Sequence, residues 1–404
     1  MIWDALILLW IACSIGLGAI GTVAILRAIR TARQVPSLRS GVGLAEAAPV
    51  AERVCAIVPA YNEEDAIGAV LGSLRAQRGV DLRMVVAMDR CTDRTRERAI
   101  EAIDGDARFE LLDVGACPEG WAGKVNALWH AAQTSEAARS ADLLLFLDAD
   151  VTMDPDCLRA AGALRRERNL GMVTLLSTLR HRHWFERLVQ PACVIELAYE
   201  FPPLRANRTS NRRAFVNGQF VMVRREDYDR LGGHAAVAGE IMEDFALARL
   251  TADAGLAVGV FPADGLLVAA MYDSWDAFVR GWTRIFVAGS GRKVSRLRKW
   301  SMRLALACAI LPVAVVAGGV IPAVADGASG WLRAVGAGAA IVATGLWGGL
   351  VFWMYAKQRA PWWSAAVNPL GFAITAWIMW RSASGLAARR PIAWAGRSYV
   401  FEPR

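Results

Sequence analysis

An α/β domain attached to hydrophobic helices at both ends is the fold class this sequence predicts, and three observations predict it. Short β-rich runs (VCAIVPA, LRMVVAMD, FELLDV, DLLLFLDAD, LGMVTLLST) alternate with helix-like stretches at 65–77, 92–103 and 125–138. Strands that are apolar nearly throughout, with helices between them, imply a sheet buried on both faces. Residues 2–26 and most of 301–381 are poor in charge, whereas the middle of the chain reads as globular. The 404 residues are 55% hydrophobic and only 21% charged, too many for one small domain and too apolar for an ordinary soluble one.

The net charge of +8 does not point to nucleic acid, because the basic residues gather beside the apolar segments. Arg27, Arg30 and Arg33 follow the first, and Arg292, Lys293, Arg296, Arg298 and Lys299 precede the next. That placement suits anionic lipid headgroups. The seven cysteines form no CxxC pair and two lie in apolar segments, so a disulfide framework or zinc site is not expected and a reducing cytosol fits.

Residues 1–28 read as a signal anchor, long enough to span a bilayer and followed by arginines, which places the next domain in the cytosol. Residues 29–52 mix Pro, Gly and small residues without apolar periodicity and read as a linker. The globular domain is expected over 53–273. An aromatic and basic stretch, 274–302, reads as amphipathic helices lying in the membrane interface. Region 303–381 holds two to three spans, at about 304–325, 334–356 and 361–380, the last interrupted by Asn368-Pro369. A basic tail fills 382–404, and Trp residues near the span ends suggest an interfacial belt.

The chemistry is expected where strands end. The apolar run LLLFL leads into Asp148-Ala149-Asp150. Two acids at i and i+2 on an extended strand end point the same way and can hold a hard divalent cation against two phosphates. An incidental acidic turn explains D-x-D alone, but the buried strand before it, ending at the edge where α/β sheets bind ligands, favours the functional reading. The first strand breaks at Pro59 into Tyr61-Asn62-Glu63-Glu64. The second ends in Met88-Asp89, ahead of a helix start capped by Thr92 or Asp93, leaving Asp89 to accept hydrogen bonds from a ribose or base.

In order, VPAYNEE, Asp89-x-x-x-Asp93-x-Thr95, Gly123-Lys124-x-Asn126, Asp148-x-Asp150, Asn217-Gly218-x-Phe220 and Glu243-Asp244 resemble the GT-A glycosyltransferases of family two. The layout is similar to the membrane-anchored, lipid-modifying members, of hopanoid-associated and ceramide type, over roughly 53–290. The resemblance implies a Rossmann-like domain with a mixed, mostly parallel sheet. It also implies inverting transfer of a sugar from a nucleotide-sugar, a UDP-sugar before a GDP-sugar, with Mg2+ or Mn2+ as cofactor. The implied partners are a nucleotide-sugar donor, a membrane lipid acceptor and the bilayer, with no nucleic acid, at a bacterial-type inner membrane. The resemblance places Pro59, Ala60, Asn62 and Glu63 around the nucleotide, Asp89 on the uracil or ribose, and Lys124 and Arg284 on the donor. Asp148 falls to the sugar or metal, Asp150 to the metal, Asp244 to the general base, and Asn217, Gly218 and Glu243 to the acceptor pocket.

The acceptor is expected to be a hopanoid or other isoprenoid lipid, with a polyprenyl phosphate, ceramide or diacylglycerol as alternatives within the class. An inactive nucleotide-binding membrane regulator is the alternative outside it. The sequence departs from the family pattern at Met88-Asp89, where a second acid is usual, and at Gly281-Trp282-Thr283-Arg284-Ile285, which lacks the Gln-x-x-Arg-Trp pattern of processive members. Trp282 reads as an interfacial anchor. His181-Arg182-His183 reads as a solvated turn, and 203–214, with its four arginines and an Asn207-Arg208-Thr209 sequon, equally as a segment set on anionic headgroups or over the donor phosphates and as a simple exposed loop.

Overall fold

The computed structural model describes residues 2–47, 51–208, 215–324, 328–394 and 397–404. In chain order its principal helices are α1 (Ile2–Gln34), α2 (Arg39–Ala47), α3 (Ile67–Arg75), α4 (Thr95–Ile103), α5 (Gly123–Thr134), α6 (Cys157–Glu167), α7 (Gln190–Glu200) and α8 (Glu243–Asp253). They continue with α9 (Trp275–Gly289), α10 (Val294–Leu304), α11 (Gly330–Lys357) and α12 (Asn368–Ala387). The strands are β1 (Arg53–Ala60), β2 (Asp81–Asp89), β3 (Phe109–Val114), β4 (Leu143–Leu147), β5 (Val151–Met153), β6 (Met172–Leu176), β7 (Thr178–Leu179), β8 (Phe220–Arg224), β9 (Val258–Pro262) and β10 (Leu267–Ala269). The chain divides into two compact units, one of residues 34–180 with 201–271, the other of 1–33, 181–200 and 272–404.

The first unit is a mixed, mostly parallel α/β sheet. Seven strands run in the order β3-β2-β1-β4-β8-β6-β9. β1 pairs in parallel with β2 and β4, β2 with β3, and β6 with β9, while β8 is antiparallel to both β4 and β6. The apolar runs of β1 and β4 are buried almost end to end, because helices cover both faces, whereas β3, at the edge of the sheet, is mostly half-buried. α5 packs over β1, β2 and β3, and α3 buries Ile67, Val70, Leu71 and Leu74, each worth about 1.5–3 kcal/mol when withdrawn from water. Parallel strands put the ends of β1, β2 and β4 at one edge. The antiparallel β8 starts at that edge, Phe220 standing opposite Leu147. A small sheet of β5, β10 and β7 holds the chain beyond β4, and Ala270 N donates to Asp150 O at 3.0 Å there.

Several boundaries differ from the sequence reading. Residues 29–52 are not a simple linker: α1 continues to Gln34, and α2 packs on α6 so closely that a Cβ at Gly41 would lie 2.3 Å from Ala160 O. The sheet unit therefore begins at Gln34 rather than Arg53, and 181–200 leaves it for the other unit. Pro59 does not break β1 but sits within it, opposite Ala87. Asn207 is no free loop residue, since its side-chain amide bonds both Val260 N (2.6 Å) and Val260 O (3.1 Å), extending the sheet beyond β9. Thr209 of the sequon and the rest of 209–214 lie outside the described residues.

The second unit is helical. Among the described residues three helices are long and apolar enough to cross a membrane by length and composition: the one starting at Ile2, Val294–Gly318 and Gly330–Lys357. The first carries its arginines as further helical turns, and the second starts at the basic α10 and runs through a π-helical turn, Ala305–Ile310. The expected segment 361–380 is not among the three. Pro369 falls in the first turn of α12, where its missing N–H costs nothing, and α12 packs against α7, α9 and α10. Trp282 is not an interfacial anchor: it is buried (2% exposed) on α9 between the rings of Phe278 and Phe286. His181 is not a solvated turn residue either, because its ring bridges Glu186 O and Gln358 O at 2.9 Å each.

Replacing Gly41 by valine forces α2 off α6 and is expected to cost about 1–3 kcal/mol. Gly43→Val on the same helix, where an added Cβ meets nothing within 4 Å, is the control. Thermal unfolding in detergent reads the difference, and equal melting temperatures for the two variants would refute the docking of α2.

Candidate active site

The shared edge of β1, β2, β4 and β8 brings chemistry together from five places in the chain. Glu63 follows β1, Asp89 ends β2, Lys124 lies in the first turn of α5, Asp148 and Asp150 follow β4, and Glu243 and Asp244 open α8. Gly218 precedes β8. The acids of Asp148-Ala149-Asp150 occupy a turn between β4 and β5 rather than an extended strand end, so their relation rests on the small sheet that anchors Asp150.

Lys124 organises the cluster. Its Nζ lies 2.6 Å from Asp148 Oδ1 and 2.5 Å from Glu243 Oε1, and both side chains on α5 and α8 are well buried. Burial works against its charge, but the two carboxylates prevail and hold the ammonium above the ordinary lysine value. Glu243 answers in the opposite sense: burial would raise its carboxyl, and the Lys124 contact brings it below the usual range.

The other carboxyls have no such partner. Burial pushes Asp150 up to about 8, with the charges of Asp148 and Glu63 adding to the shift, and its buried Oδ1 has no hydrogen-bond partner. Glu63 is raised to about 7 by burial, then by Asp148 and Asp93. Among the described residues no group of three or more His, Cys, Asp or Glu side chains has the arrangement of a complete metal site.

Asp244 is the partner of Glu243 in sequence and its opposite in environment. Burial and the neighbouring Glu243 charge raise its carboxyl to about 7. Phe245 N donates to its Oδ1 at 2.8 Å and Gly218 N to its Oδ2 at 3.2 Å. Gly218 is needed for this approach and not for a positive φ, since a Cβ there would sit 3.2 Å from Glu243 Oε1 and 3.4 Å from Asp244 Oδ2. Asn217 supports that turn from below. Its Nδ2 donates to Leu175 O at 2.7 Å, and Thr174 Oγ1 bonds both its N–H and its carbonyl, so its side chain holds the turn to the end of β6.

Two other expectations are corrected by hydrogen bonding. Asp89 offers no free carboxylate to a ribose: it is buried (3% exposed) and grips Arg90 with both oxygens, at 2.6 Å to Nε and 2.8 Å to Nη2. Asn62, at φ 54°, accepts from Thr92 N at 2.8 Å and ties the β1 exit to the β2 exit. Asp93 serves the same loop, accepting from Thr95 N and Glu64 N. Pro59 and Ala60 end β1 at the same edge. Arg284 belongs to the helical unit, on α9.

The sequence matches a family model described as "Glycosyltransferase like family 2" over residues 51–281. The chain belongs to that family. Among curated proteins it is similar to 4,4'-diaponeurosporenoate glycosyltransferases of Staphylococcus aureus, from strains MRSA252 and USA300 among others. The identity is 29% over 244 residues, which is 58% of this chain and 61% of theirs. The match thus spans under two thirds of those relatives. Among solved structures it is similar to a mannosyltransferase from Pyrobaculum calidifontis in complex with GDP-Man and Mn2+ (20% identity, 89% of this chain and 99% of that one, TM-score 0.45). It is also similar to glucosyl-3-phosphoglycerate synthase from Mycobacterium tuberculosis with Mn2+, UDP-glucose and glycerol 3-phosphate (19%, 63% and 85%, TM-score 0.39).

For this family 2 chain the sequence reading missed two residues. Arg90 is half-exposed, fixed by Asp89 and set over the Tyr61 ring at 5.9 Å, a cation presented at the edge where an anion would bind. The only hint in the sequence is its position directly after a strand-end acid. His234 is fully buried, with Nδ1 2.9 Å from the Tyr228 hydroxyl, and burial drives it down to about 4; it is a neutral ring below Glu243's charge, and no motif marks it.

Lys124→Met leaves Asp148 and Glu243 buried without their cation, at a cost of about 3–5 kcal/mol near neutral pH. The depressed Glu243 carboxyl contributes stability above its unfolded value near 4.5 that fades as pH falls through its lower folded value. The gap between wild type and Lys124→Met is therefore expected to be wide from pH 8 down to about 4.5 and to narrow between there and pH 3 as Glu243 takes up its proton. Melting curves across that range check it; a gap independent of pH would rule out the ion pair as its source.

Proposed function

We propose that this family 2 chain is a membrane-bound, inverting glycosyltransferase that moves a sugar from a nucleotide-sugar, a UDP-sugar for preference, onto a membrane lipid of isoprenoid type such as a hopanoid. The observation that carries the reaction is the divergence of two adjacent carboxyls: Glu243 is held ionised by Lys124, while Asp244 is raised to about 7 and tethered by two backbone N–H groups. Adjacent acids pushed apart in this way take different roles. Asp244 is the general base: it accepts the proton of the acceptor hydroxyl as that oxygen attacks the anomeric carbon, and one displacement inverts the configuration.

Asp148 and Asp150 are the residues to hold a divalent cation. The residues fit one: Asp150 has an orphaned buried oxygen, and Glu63, Asp148, Asp150, Glu243 and Asp244 surround a single ammonium. Two carboxylates suit an ion that takes its other ligands from water and phosphate. Such an ion, bound, offsets negative charge on the departing diphosphate. Arg90, braced by Asp89, supplies a second fixed positive charge toward the nucleotide, and Pro59, Ala60 and Glu63 form the edge beside it. The lipid acceptor draws support from three apolar helices of spanning length and from relatives named for glycosylating 4,4'-diaponeurosporenoate.

The test is to incubate detergent-purified protein with UDP-sugars, Mg2+ or Mn2+ and extracted bacterial lipids, following UDP release and glycolipid mass. Asp244→Asn is expected to lower kcat by about 10²–10⁴ with UDP affinity little changed. Turnover that survives this change, or UDP binding without product across all lipids, would sink the assignment in favour of a nucleotide-binding regulator.

A base must be ionised to act, so the rate of wild type is expected to climb as pH rises through about 7 and then level. A pH–rate profile flat from 5 to 8 would remove Asp244 from that role. Chelating divalent ions with EDTA is expected to weaken UDP binding by about tenfold or more, read by calorimetry; affinity unchanged by chelation would exclude the cation site.

A further inference from the structure

Side-chain pairs within the helical unit fix the direction and level of its long helices. α1 and α11 run parallel: Ser329 N donates to Asp4 Oδ1 at 3.4 Å, Ile7 clusters with Leu332, and a Cβ at Gly336 would lie 2.7 Å from the Trp10 ring. Further along, a Cβ at Gly18 would lie 3.7 Å from Ala343 Cβ. The helix Val294–Gly318 runs the other way. Its far end meets Trp10, whose Nε1 donates to Val315 O at 2.8 Å, and near its start Arg303 stacks 4.1 Å from the Tyr199 ring, which Arg27 of α1 also faces at 5.8 Å. One end of this three-helix set is therefore marked by Asp4, Gly318 and Ser329, and the other, basic end by Arg27, Arg303 and Lys357.

The partners of α12 trace a path on the basic side. Near its start, Phe372 packs on Trp347 of α11 with ring centroids 6.3 Å apart, and a Cβ at Gly371 would lie 3.5 Å from Tyr355 Oη. Ser301 Oγ then donates to Ala376 O at 2.7 Å, Arg298 stands 5.7 Å over the Trp380 ring, and Ser382 Oγ donates to Thr283 Oγ1 at 3.1 Å. The contacts thus lead from within α11 outward past Arg303, away from Asp4 and Ser329. Before α12, the short helix Trp362–Ala366 packs back on α11. Residues 361–370 carry no charge, and their turns bond internally: Ser364 Oγ donates to Pro361 O at 2.8 Å, Asn368 Nδ2 to Ala365 O at 2.8 Å, and Leu370 N to Val367 O at 3.1 Å. A backbone turn at membrane depth needs such internal partners.

We propose that residues 361–387 form a re-entrant element seated in one leaflet of the bilayer, the leaflet whose headgroups meet Arg27, Arg298 and Arg381. The chain leaves α11 at Lys357, dips back toward Trp347 and returns along α10 as α12. From Trp347 to the end of α11 is about 15 Å at the helical rise, roughly half of a hydrocarbon core of about 30 Å. Trp377 and Trp380, each half-exposed and each faced by an arginine, Arg381 at 5.4 Å and Arg298 at 5.7 Å, sit at headgroup level as amphipathic rings do. A further crossing would carry Arg381, Arg389, Arg390 and Arg404 to the opposite face. The re-entrant path keeps them on the face of Arg27, Arg30 and Arg33, while the loop 319–329 on the other face has no Lys or Arg, as the positive-inside tendency requires. The element does not depend on the sugar-transfer reading.

The experiment labels the full chain with a sulfonated, membrane-impermeant maleimide in sealed bacterial membrane vesicles of either orientation, with peptide mapping to separate the introduced cysteines from the native ones. Arg30→Cys and Ser329→Cys report the two faces. Ser384→Cys, at an exposed position of α12, and a cysteine appended after Arg404 are expected to label from the same side as Arg30→Cys. Leu370→Cys, also exposed, is expected to label about tenfold more slowly than Ser384→Cys from either side, because hydrocarbon excludes the charged reagent. Labelling of Ser384→Cys or of the appended cysteine from the side of Ser329→Cys would show a crossing and overturn the proposal. Leu370→Cys labelling as fast as Ser384→Cys would place the turn in water and overturn it equally.

Discussion

One buried ammonium fixes the arrangement of the carboxylate centre. Lys124 is the only lysine in the cluster, and it stands on the first turn of α5 between the turn after β4 and the head of α8. Its two ion pairs tie three separate stretches of chain to one point. They also bear on which acids are charged: Glu243 is held ionised by the contact, while Asp150, Glu63 and Asp244, lacking one, feel burial and mutual repulsion. A buried ion pair adds little to net stability. Its value here is positional, since it fixes the electrostatic difference between Glu243 and Asp244 that adjacent acids at a helix start would otherwise not have.

The sheet topology is what makes such a point available. Three parallel strands finish at one edge, and the antiparallel β8 begins there, so Gly218 arrives from a distant part of the chain facing the first turn of α8. Its missing side chain admits the Asp244 carboxylate, and its N–H holds it. The first turn of α8 also supplies backbone N–H to Asp244, the ordinary stabilisation of an acid at a helix N-terminus. Helix-dipole and base readings of this acid pair therefore coexist, with the former providing part of the geometry that the latter uses.

Much of this was legible in order and little of it in detail. Apolar runs named the strands because burial on both faces leaves a strong local signature, and acids after those runs named the edge. What a single sequence does not carry is who bonds whom. Asp89 read as an open acceptor because nothing in Met88-Asp89-Arg90 tells that the next side chain folds back on it. Asn217 read as a pocket residue because its partners, Thr174 and Leu175, lie more than forty positions away. α2 read as a linker for a similar reason: nine residues rich in Gly and Ala have little helical tendency alone, and docking on α6 is what orders them. Trp282 looked like a membrane anchor from composition, and its burial depends on Phe278 and Phe286 one turn to either side.

The two units treat buried charge differently, and the difference marks where chemistry belongs. On the helical side, Arg303 of α10 meets Glu196 and Glu200 of α7 and stacks 4.1 Å from the Tyr199 ring. Burial raises Glu196 to about 7 against the pull of Arg303, with Glu200 adding to the rise, so a single proton brings two acids and one cation to neutrality. In the sheet unit a proton on each of Asp150, Glu63 and Asp244 still leaves Asp148 and Glu243 against one ammonium. Releasing the proton from Asp244, as its proposed role as base requires, would widen the imbalance further. A folded protein holds surplus charge of one sign in a buried place at a cost, and such clusters gather at functional sites. Among the described residues the surplus here is negative, at an edge proposed to receive an anionic diphosphate; the proposed divalent cation would offset it, and its binding would then be linked to the protonation of Asp244.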